Sequence, residues 1–255
     1  MWPELPQPWR DAVVTPLAGG MTNRHWLLAS GAEQAVLRRD SDAVQLGIDR
    51  QGERQAWHCA ARAGVSPALL WQGEGWTLSR FINGASGPAD SSARLGRLLS
   101  HIHWLQNQPL TLPVLPLRQR ALALGAKDGP WAAYGLIESQ PEALRPAHVD
   151  PNPGNYLWQG ERLWLLDWEY ASLADPDYDL AAIAVEHALA AKTVLALWQQ
   201  CSGEQRQEAR LQAMMRIYAH LCECWCCHQA TGYRKAAARY RKAWRTDLVD
   251  GQGVN

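Results

Sequence analysis

Three side chains that could carry out chemistry lie in residues 148 to 171, HVDPNPGNYLWQGERLWLLDWEYA. Asp150 precedes the apolar runs NYLW and RLWLL, Asn155 is the first residue of NYLW, and Asp167 follows the second run. Gly160, between the runs, can take the positive φ of a tight turn, so the pattern predicts a β-hairpin. Because a hairpin brings its two ends together, we expect Asn155 and Asp167 to be neighbours. Asp150 should lie beside them, on a loop stiffened by two prolines.

The oxygen atoms of these three side chains suit the transfer of a phosphoryl group. Carboxylate and amide oxygens are ligands that Mg²⁺ accepts, together with water and phosphate. Phosphoryl transfer also uses an aspartate that positions and deprotonates the attacking hydroxyl. The order of Asp150, Asn155 and Asp167 therefore fits a base followed by two metal ligands. Each residue alone is also an ordinary loop former, so the hypothesis depends on the set.

The chain before the hairpin predicts a small lobe of mixed structure. Residues 13–39 read as three strands, with a Gly-Gly turn after the first strand. Residues 49–63 predict a helix that ends at Gly64, and the segments 68–72 and 76–82 predict two more strands. We therefore expect residues 1–82 to form an N-terminal lobe with one sheet and one helix.

The rest of the chain, residues 83–255, predicts a mainly helical C-terminal lobe. Apolar residues between positions 95 and 105 recur at helical spacing. Residues 117–144 predict interrupted helix, and the pattern from 178 to about 244 predicts three helices. The predicted fold class is α+β with two lobes.

Charge and composition argue against several function classes. The chain has 255 residues with 25 Lys and Arg against 25 Asp and Glu, so its formal net charge is zero. A neutral chain does not hold nucleic acid or a membrane surface by bulk electrostatics. It has no apolar run of membrane-spanning length and no signal-peptide pattern. We expect a cytoplasmic protein whose six cysteines are thiols and whose partner is a small molecule.

The motifs HVDPNPGN and LLDWEYA resemble those of the aminoglycoside phosphotransferase and choline kinase family. The D-W-E-Y motif is most similar to choline/ethanolamine kinases and bacterial thiamine kinases. GGMTNRHWLL, AVLR, GWTLSRFINGA and DPDYDLAAIAVEH resemble the family's phosphate turn, third strand, hinge and following helix. The resemblance covers roughly residues 13–190. It implies the bilobal protein-kinase-like fold and a kinase that uses ATP and Mg²⁺.

The resemblance also implies a role for each matching residue of the catalytic motifs. Asp150 would be the catalytic base, and His148 would brace its loop. Arg38 would stand where protein kinases have a phosphate-binding lysine. Asn155 and Asp167 would hold Mg²⁺.

The implied nucleotide site lies mainly in the N-terminal lobe. The segment from Ser79 to Phe81 would offer backbone groups to adenine, and the Gly-Gly turn, which is also an ordinary hairpin turn, would cover the phosphates. Glu53 would pair with Arg38, unless it lies on a solvated helix face. Asp179 would anchor the catalytic loop. The implied nucleotide-binding residues are Gly19, Gly20, Thr22, Asn23, Arg38, Glu53, Ser79 and Phe81.

Two departures from protein kinases favour a small-molecule acceptor. Asn152 replaces the lysine that follows the catalytic aspartate, and no activation segment is evident after Asp167. The region after the hairpin is acidic and aromatic, which suits a cation. Trp168, Glu169 and Tyr170 are the candidate acceptor-binding residues, with core packing as the alternative for the aromatic rings.

Thiamine is the first expectation for the acceptor, and choline or ethanolamine is the second. An aminoglycoside is less expected, because D-W-E-Y is not typical of resistance enzymes. A kinase-like binding protein without catalysis is a further alternative, since Arg38 replaces the usual lysine. The sequence leaves the oligomeric state unknown.

Two other clusters have a structural and a functional interpretation. The segment HLCECWCCH, residues 220–228, could bind zinc, but it lies in one continuous helix, so we favour core thiols. The basic segment 233–245 could contact RNA or anionic lipid. A solvated face near the end of a helix is the favoured interpretation.

Overall fold

The computed structural model describes residues 2–17, 23–40, 48–229 and 232–246. The chain divides into two compact units, neither of which is continuous in sequence. The first contains Met1–Gly87 and Asn155–Tyr170, and the second contains Pro88–Gly154 and Ala171–Asn255. The sequence predicts one boundary near residue 82, with everything after it in the second lobe. In the structure, the hairpin segment belongs to the first unit.

The first unit contains a five-stranded antiparallel sheet with the order β1-β2-β3-β5-β4. Its strands are β1 (Val13–Leu17), β2 (Arg24–Ser30), β3 (Glu33–Arg39), β4 (Leu69–Gly73) and β5 (Trp76–Arg80). The five strands predicted from the sequence are thereby confirmed. The predicted Gly-Gly turn, with Gly19, Gly20 and Thr22, lies outside the described residues.

Alternation along the strands explains which face of the sheet is buried. In β3, Ala35 and Leu37 are fully buried, and they pack in one cluster with Leu28 and Leu78 from the neighbouring strands. Side chains two residues apart point to the same face of a strand, so the apolar set defines the core side. The N-terminal Trp9 completes this cluster.

One helix accompanies the sheet, α1 (Arg50–Arg62), as the sequence predicted. Asp49 caps it, because its side chain accepts a hydrogen bond from the backbone N–H of Gln51. The helix is followed by Gly64, whose φ of +71° is a left-handed conformation that glycine adopts without strain. These two signals fix the ends of the helix that carries Glu53.

The predicted hairpin is confirmed as β8 (Tyr156–Gln159) and β9 (Arg162–Leu165), which form a sheet with the short strand β6 (Ala85–Ser86). Its partners run from Tyr156 opposite Leu165 to Gln159 opposite Arg162. Gly160 begins the turn with a φ of +59°.

Hydrogen bonds explain why the hairpin belongs to the first unit. The backbone N–H of Leu165 donates to Val65 O at 2.8 Å, and the Ser66 hydroxyl donates to Leu165 O at 2.8 Å. The indole N–H of Trp168 donates to the Ser66 hydroxyl at 3.1 Å. These bonds tie the second strand of the hairpin to the loop after α1.

The second unit is mainly helical, as predicted. Its helices are α2 (Ser92–Gln106), α3 (Leu117–Ala123), α4 (Trp131–Ser139), α5 (Tyr178–Glu186), α6 (Ala191–Ser202), α7 (Glu208–His228) and α8 (Arg234–Arg245). A short antiparallel pair joins β7 (Arg145–Ala147) to β10 (Ser172–Ala174).

The prediction of three helices after residue 178 was wrong, because the described residues there form four. The first break comes at Ala188, which has a φ of +51° and follows α5. The second comes at Gly203, a left-handed C-cap with a φ of +75°. Both breaks interrupt an apolar pattern that continues on either side, so periodicity alone did not reveal them.

The α+β class predicted from the sequence is confirmed. Among the described residues, no helix combines the length and the apolar character needed to cross a membrane.

The turn of the hairpin generates a test with a matched control. Gly160→Ala places a Cβ on a residue with positive φ, and we expect it to lower the free energy of unfolding by about 1 kcal/mol. Gly135, inside α4, has open space around an added Cβ and no positive φ. Gly135→Ala should therefore raise the free energy of unfolding by up to about 1 kcal/mol. Urea denaturation of both variants measures the two effects, and effects of the same sign would contradict the assignment of the turn.

Candidate functional site

Asn155 and Asp167 occupy the two open ends of the hairpin. The backbone N–H of Leu166 donates to Asn155 O at 2.9 Å, which continues the strand pairing by one step beyond Tyr156 and Leu165. Asp167 follows directly, with a φ of +62°. Aspartate tolerates this left-handed conformation better than most residues. The backbone geometry thus confirms that the two residues are neighbours.

Arg38, at the end of β3, lies between two carboxylates. Its guanidinium contacts Glu53 at 2.6 Å and Asp40 at 2.9 Å, and it lies over the ring of Trp57 at 5.3 Å. The predicted pair of Arg38 and Glu53 is confirmed. The alternative, that Glu53 faces solvent, is wrong because Glu53 is only 2% exposed.

Electrostatics connects this pair to Asp167. Burial alone would lower the pKa of Arg38, but Glu53, Asp40 and Asp167 outweigh it and raise the pKa above its ordinary value. Arg38 is therefore permanently charged. A charged guanidinium next to carboxylates is suited to steadying phosphate oxygens.

The described part of the first unit places several carboxylates around two guanidinium groups. Arg38 contacts Asp40 and Glu53, and Arg50 contacts Glu53 and Glu169. Asp167 also acts electrostatically on Arg38. Oxygen donors from Asn155 and Asp167 are of the type that Mg²⁺ accepts.

The loop that carries Asp150 is held by a buried carboxylate of α5. Asp179 accepts hydrogen bonds from the backbone N–H groups of His148 at 2.8 Å and Val149 at 2.9 Å. This is the anchoring role that the sequence predicted. Asp179 and His148 are both fully buried. Val149 has a φ of +74°, a strained conformation for a β-branched residue that costs about 1–3 kcal/mol and needs such support.

The side chain of Asp150 is held by Asn152, the residue that replaces the lysine of protein kinases. The amide of Asn152 donates to Asp150 Oδ1 at 2.8 Å, and its oxygen accepts from the backbone N–H of Gly154 at 2.8 Å. The backbone N–H of Asn152 also donates to Asp150 O at 2.9 Å. Asn152 thus orients the carboxylate. Its position two residues after Asp150 was the only signal that could have indicated this.

The structure corrects the prediction that Trp168 binds the acceptor. Its side chain is fully buried and hydrogen bonded to Ser66, so the ring is part of the core of the first unit. Glu169 is 3% exposed and accepts a hydrogen bond from Asn23 at 2.9 Å. Tyr170 is half-buried. The alternation of a strand-like segment does not by itself show which side chains face the core.

The predicted adenine contacts at Ser79 to Phe81 need revision. Ser79 is paired with Val36 inside the sheet. The N–H of Arg80 donates to Ala68 O at 2.8 Å, and that of Phe81 donates to Gln34 O at 3.1 Å. These two N–H groups are used by the sheet, so they are not donors for a base.

In the cysteine cluster of α7, Cys224 and Cys226 are buried, Cys222 is half-buried and Cys227 is exposed, so the interpretation as core thiols holds for part of the cluster. Burial raises the pKa of Cys224 to about 11. The nearby His220 uses Nδ1 with the Tyr134 hydroxyl at 3.0 Å and Nε2 with Asp128 O at 2.9 Å. Within the part of the chain that the structure describes, no group of three or more His, Cys, Asp or Glu side chains could hold a metal ion.

Comparison with known proteins places this arrangement in a family. The model of the phosphotransferase enzyme family, APH, matches residues 13–213. The chain therefore belongs to the phosphotransferase enzyme family.

Two curated relatives are similar in sequence. Protein LicA of Haemophilus influenzae is 29% identical over 192 residues, which cover 66% of this chain and 56% of LicA. Thiamine kinase of Salmonella typhimurium is 28% identical over 189 residues, which cover 70% of this chain and 67% of that enzyme. The chain thus spans little more than half the length of this LicA.

Among solved structures, choline kinase LicA from Streptococcus pneumoniae is similar in fold. It has a TM-score of 0.76 and 18% sequence identity, and the match covers 91% of this chain and 92% of that one. The fold expected from the sequence motifs is confirmed.

The anchor at Asp179 generates a pH-dependent test. Asp179→Asn replaces one acceptor oxygen with an NH₂ group that opposes a backbone N–H. We expect the free energy of unfolding at pH 7 to fall by about 1–3 kcal/mol. Burial, partly offset by the two backbone hydrogen bonds, raises the pKa of Asp179 from 3.8 to about 6.

A carboxyl group with a raised pKa stabilises the fold most when it is protonated, and that contribution is lost as the pH rises towards 6. Urea denaturation between pH 4 and pH 7 should therefore show that the advantage of wild type over Asp179→Asn is largest at pH 4. Asp177, whose pKa burial also raises to about 6, is present in both proteins and cancels. A difference that does not change with pH would contradict this assignment.

Proposed function

We propose that the protein transfers the terminal phosphoryl group of ATP to the hydroxyl of a small cationic metabolite, with thiamine as the first candidate. The observation that carries the proposal is the anchored loop that holds Asp150. In sequence, Asp150 precedes Asn155 and Asp167, which is the order expected of a phosphotransferase of this family. Asp179 fixes the backbone of this loop, and Asn152 fixes the carboxylate of Asp150. Such double support is typical of a side chain that must be held in one geometry.

In the proposed mechanism, Asp150 accepts the proton of the acceptor hydroxyl and orients its oxygen for attack. His148 and Val149 hold the loop through Asp179. Arg38, steadied by Glu53, binds phosphate oxygens. Catalysis then depends mainly on positioning and electrostatics.

Asn155 and Asp167 would hold Mg²⁺. When bound, this ion neutralises the charge of the triphosphate and of the transferred group. Asn23 and the predicted turn with Gly19, Gly20 and Thr22 are proposed to cover the phosphates. For adenine, we retain the segment from Ser79 to Phe81 as the predicted location, with carbonyl groups rather than the N–H groups of Arg80 and Phe81 as contacts.

A cationic acceptor is supported by a carboxylate cluster in the second unit. Glu186, at the end of α5, accepts hydrogen bonds from Tyr218 at 3.1 Å and Tyr240 at 2.6 Å. Arg239 contacts the same carboxylate at 2.9 Å and lies over the ring of Tyr240 at 4.3 Å. A carboxylate and an aromatic face thus already hold one cationic group, and the same chemistry suits an organic cation.

Asp150 and Glu186 both act electrostatically on two buried side chains, Tyr218 and Cys222. Burial raises the pKa of Tyr218 well above its ordinary value, and Glu186 and Asp150 raise it further. The same is true of Cys222, for which burial is the main cause and both carboxylates contribute. We infer from the two nearby carboxylates that a positively charged acceptor is favoured beside the proposed base.

Thiamine is placed before choline or ethanolamine because of the D-W-E-Y motif and the hinge segment GWTLSRFINGA. Relatives named for thiamine and solved structures named for choline both match, so the order of the two depends on the motifs. An aminoglycoside is the less expected acceptor.

We also propose a cytoplasmic location and no nucleic-acid or membrane partner. In support, Arg239, Arg241 and Arg245 of the basic helix α8 pair with carboxylates of the same unit.

Removal of the base tests the mechanism. Asp150→Ala should lower the rate of acceptor phosphorylation by at least about 10²-fold, because the proposed general base is removed. Binding of Mg²⁺ and ATP should be retained. Turnover is measured by ADP release with each acceptor, and nucleotide affinity by calorimetry. Asp90→Asn, at an exposed aspartate that pairs with Arg94, is the matched control and should keep full activity. Retained turnover in Asp150→Ala would reject Asp150 as the base.

The acceptor class is tested by comparing thiamine, choline, ethanolamine and kanamycin. We expect ADP release to be highest with thiamine. Glu186→Gln should raise the KM of the cationic acceptor about tenfold while the KM of ATP stays unchanged, since a charge-assisted contact is worth about 1.5–3 kcal/mol. An unchanged acceptor KM would show that Glu186 does not attract the cation.

A further inference from the structure

A line of alternating charges extends beyond Arg38 and Glu53 in the first unit. It begins at Asp40 and passes through Arg38 and Glu53 to Arg50, at the start of α1. It continues to Glu169, whose carboxylate lies 3.5 Å from the Arg50 guanidinium. Neither Arg50 nor this use of Glu169 was part of the sequence prediction.

Arg50 controls the orientation of the Glu53 carboxylate. Glu53 Oε1 faces Arg38 at 2.6 Å, and Oε2 faces Arg50 at 2.7 Å. The spacing of three residues places Arg50 and Glu53 on the same face of α1. A buried carboxylate that is bound through both oxygens cannot rotate, so Arg50 keeps Oε1 directed at Arg38.

Arg50 also reaches the segment that follows Asp167. Its Nη1 atom lies 3.5 Å from Glu169 Oε2, and its Nη2 atom lies 3.5 Å from the side-chain oxygen of Asn23. Asn23 in turn donates to Glu169 at 2.9 Å. Three segments that are distant in sequence therefore meet around one guanidinium. These are the residue before β2, the first turn of α1 and the stretch after the hairpin.

We propose that Arg50 is a positioning residue. Through Glu53 and Glu169, it fixes the positions of Arg38 and Asp167 relative to each other. In this role Glu169 belongs to the nucleotide side of the enzyme and does not contact the acceptor. The inference rests on the proposed function, because the relative position of Arg38 and Asp167 matters only if they bind ATP and Mg²⁺.

Charge supports the positioning role of Arg50. Glu53 is 2% exposed and Glu169 is 3% exposed, so neither carboxylate is solvated by bulk water. A buried charge without a counter-ion is strongly unfavourable. Replacing Arg50 with a neutral residue removes one guanidinium from beside Glu53 and one positive charge from beside Glu169. Both carboxylates would then be expected to shift, and Arg38 and Asp167 with them.

The test is the affinity for a non-hydrolysable ATP analogue with Mg²⁺, measured by calorimetry so that no acceptor is needed. Arg50→Gln should weaken the affinity by about tenfold or more. Arg50→Lys keeps the charge but lacks the planar fork, so it should lose less. Glu169→Gln should resemble Arg50→Gln, and the double variant should be less affected than the product of the two single effects.

Arg210→Gln is the matched control for a role limited to stability. Arg210 is 3% exposed and pairs with Asp175 and Asp177 in the second unit, so its loss should lower the midpoint of thermal unfolding. The affinity of the Arg210→Gln variant for the ATP analogue with Mg²⁺ should stay within about twofold of wild type.

The outcomes separate this inference from the proposed function. Wild-type affinity in folded Arg50→Gln, or an equal loss in Arg210→Gln, would overturn the positioning role. A wild-type protein that binds no Mg²⁺ and ATP analogue would overturn both proposals. If it binds the analogue and phosphorylates no acceptor, the proposed acceptor is wrong, and Arg50→Gln alone decides the inference.

Discussion

The buried carboxylate of Glu53 is the constraint on which the rest of the first unit depends. A carboxylate that is 2% exposed has to be neutralised, and Glu53 has one guanidinium within ion-pair distance of each of its oxygens. Arg38 is thereby fixed at the end of β3, and Arg50 is fixed at the start of α1. Because Arg50 also contacts Glu169, the same requirement extends to the segment after the hairpin.

The second unit solves a different problem with similar means. Val149 takes a left-handed conformation that a β-branched residue disfavours, and both Val149 and the preceding His148 are buried, so their N–H groups need acceptors. The carboxylate of Asp179 satisfies both N–H groups. The strained backbone of Val149, next to Asp150, is therefore stabilised by the buried Asp179. Burial raises the pKa of Asp179, which reflects the cost of burying its charge. In each unit, a buried carboxylate fixes the geometry of candidate site residues: Glu53 in the first unit and Asp179 in the second.

Much of the site could be predicted from sequence because its parts are local. The spacing of Asn155 and Asp167 around Gly160 defines a hairpin, and a hairpin makes its ends neighbours whatever surrounds it. The pairing of Arg38 with Glu53 and the anchor at Asp179 followed from motif positions. The helices and strands followed from periodicity, except where Ala188 and Gly203 break a continuous apolar pattern.

Sequence by itself determined most of the elements, the hairpin and the order of the proposed base and metal ligands, since short-range spacing and turn chemistry decide these. Tertiary structure alone decided burial and long-range partners. In the folded chain Trp168 lies in the core, and Glu169 contacts Asn23 and Arg50. The hairpin belongs to the first unit. These outcomes depend on which surfaces meet and which charges lose water. Residues such as Asn23 and Glu169, which are 146 positions apart, carry no local signal that they will share a hydrogen bond.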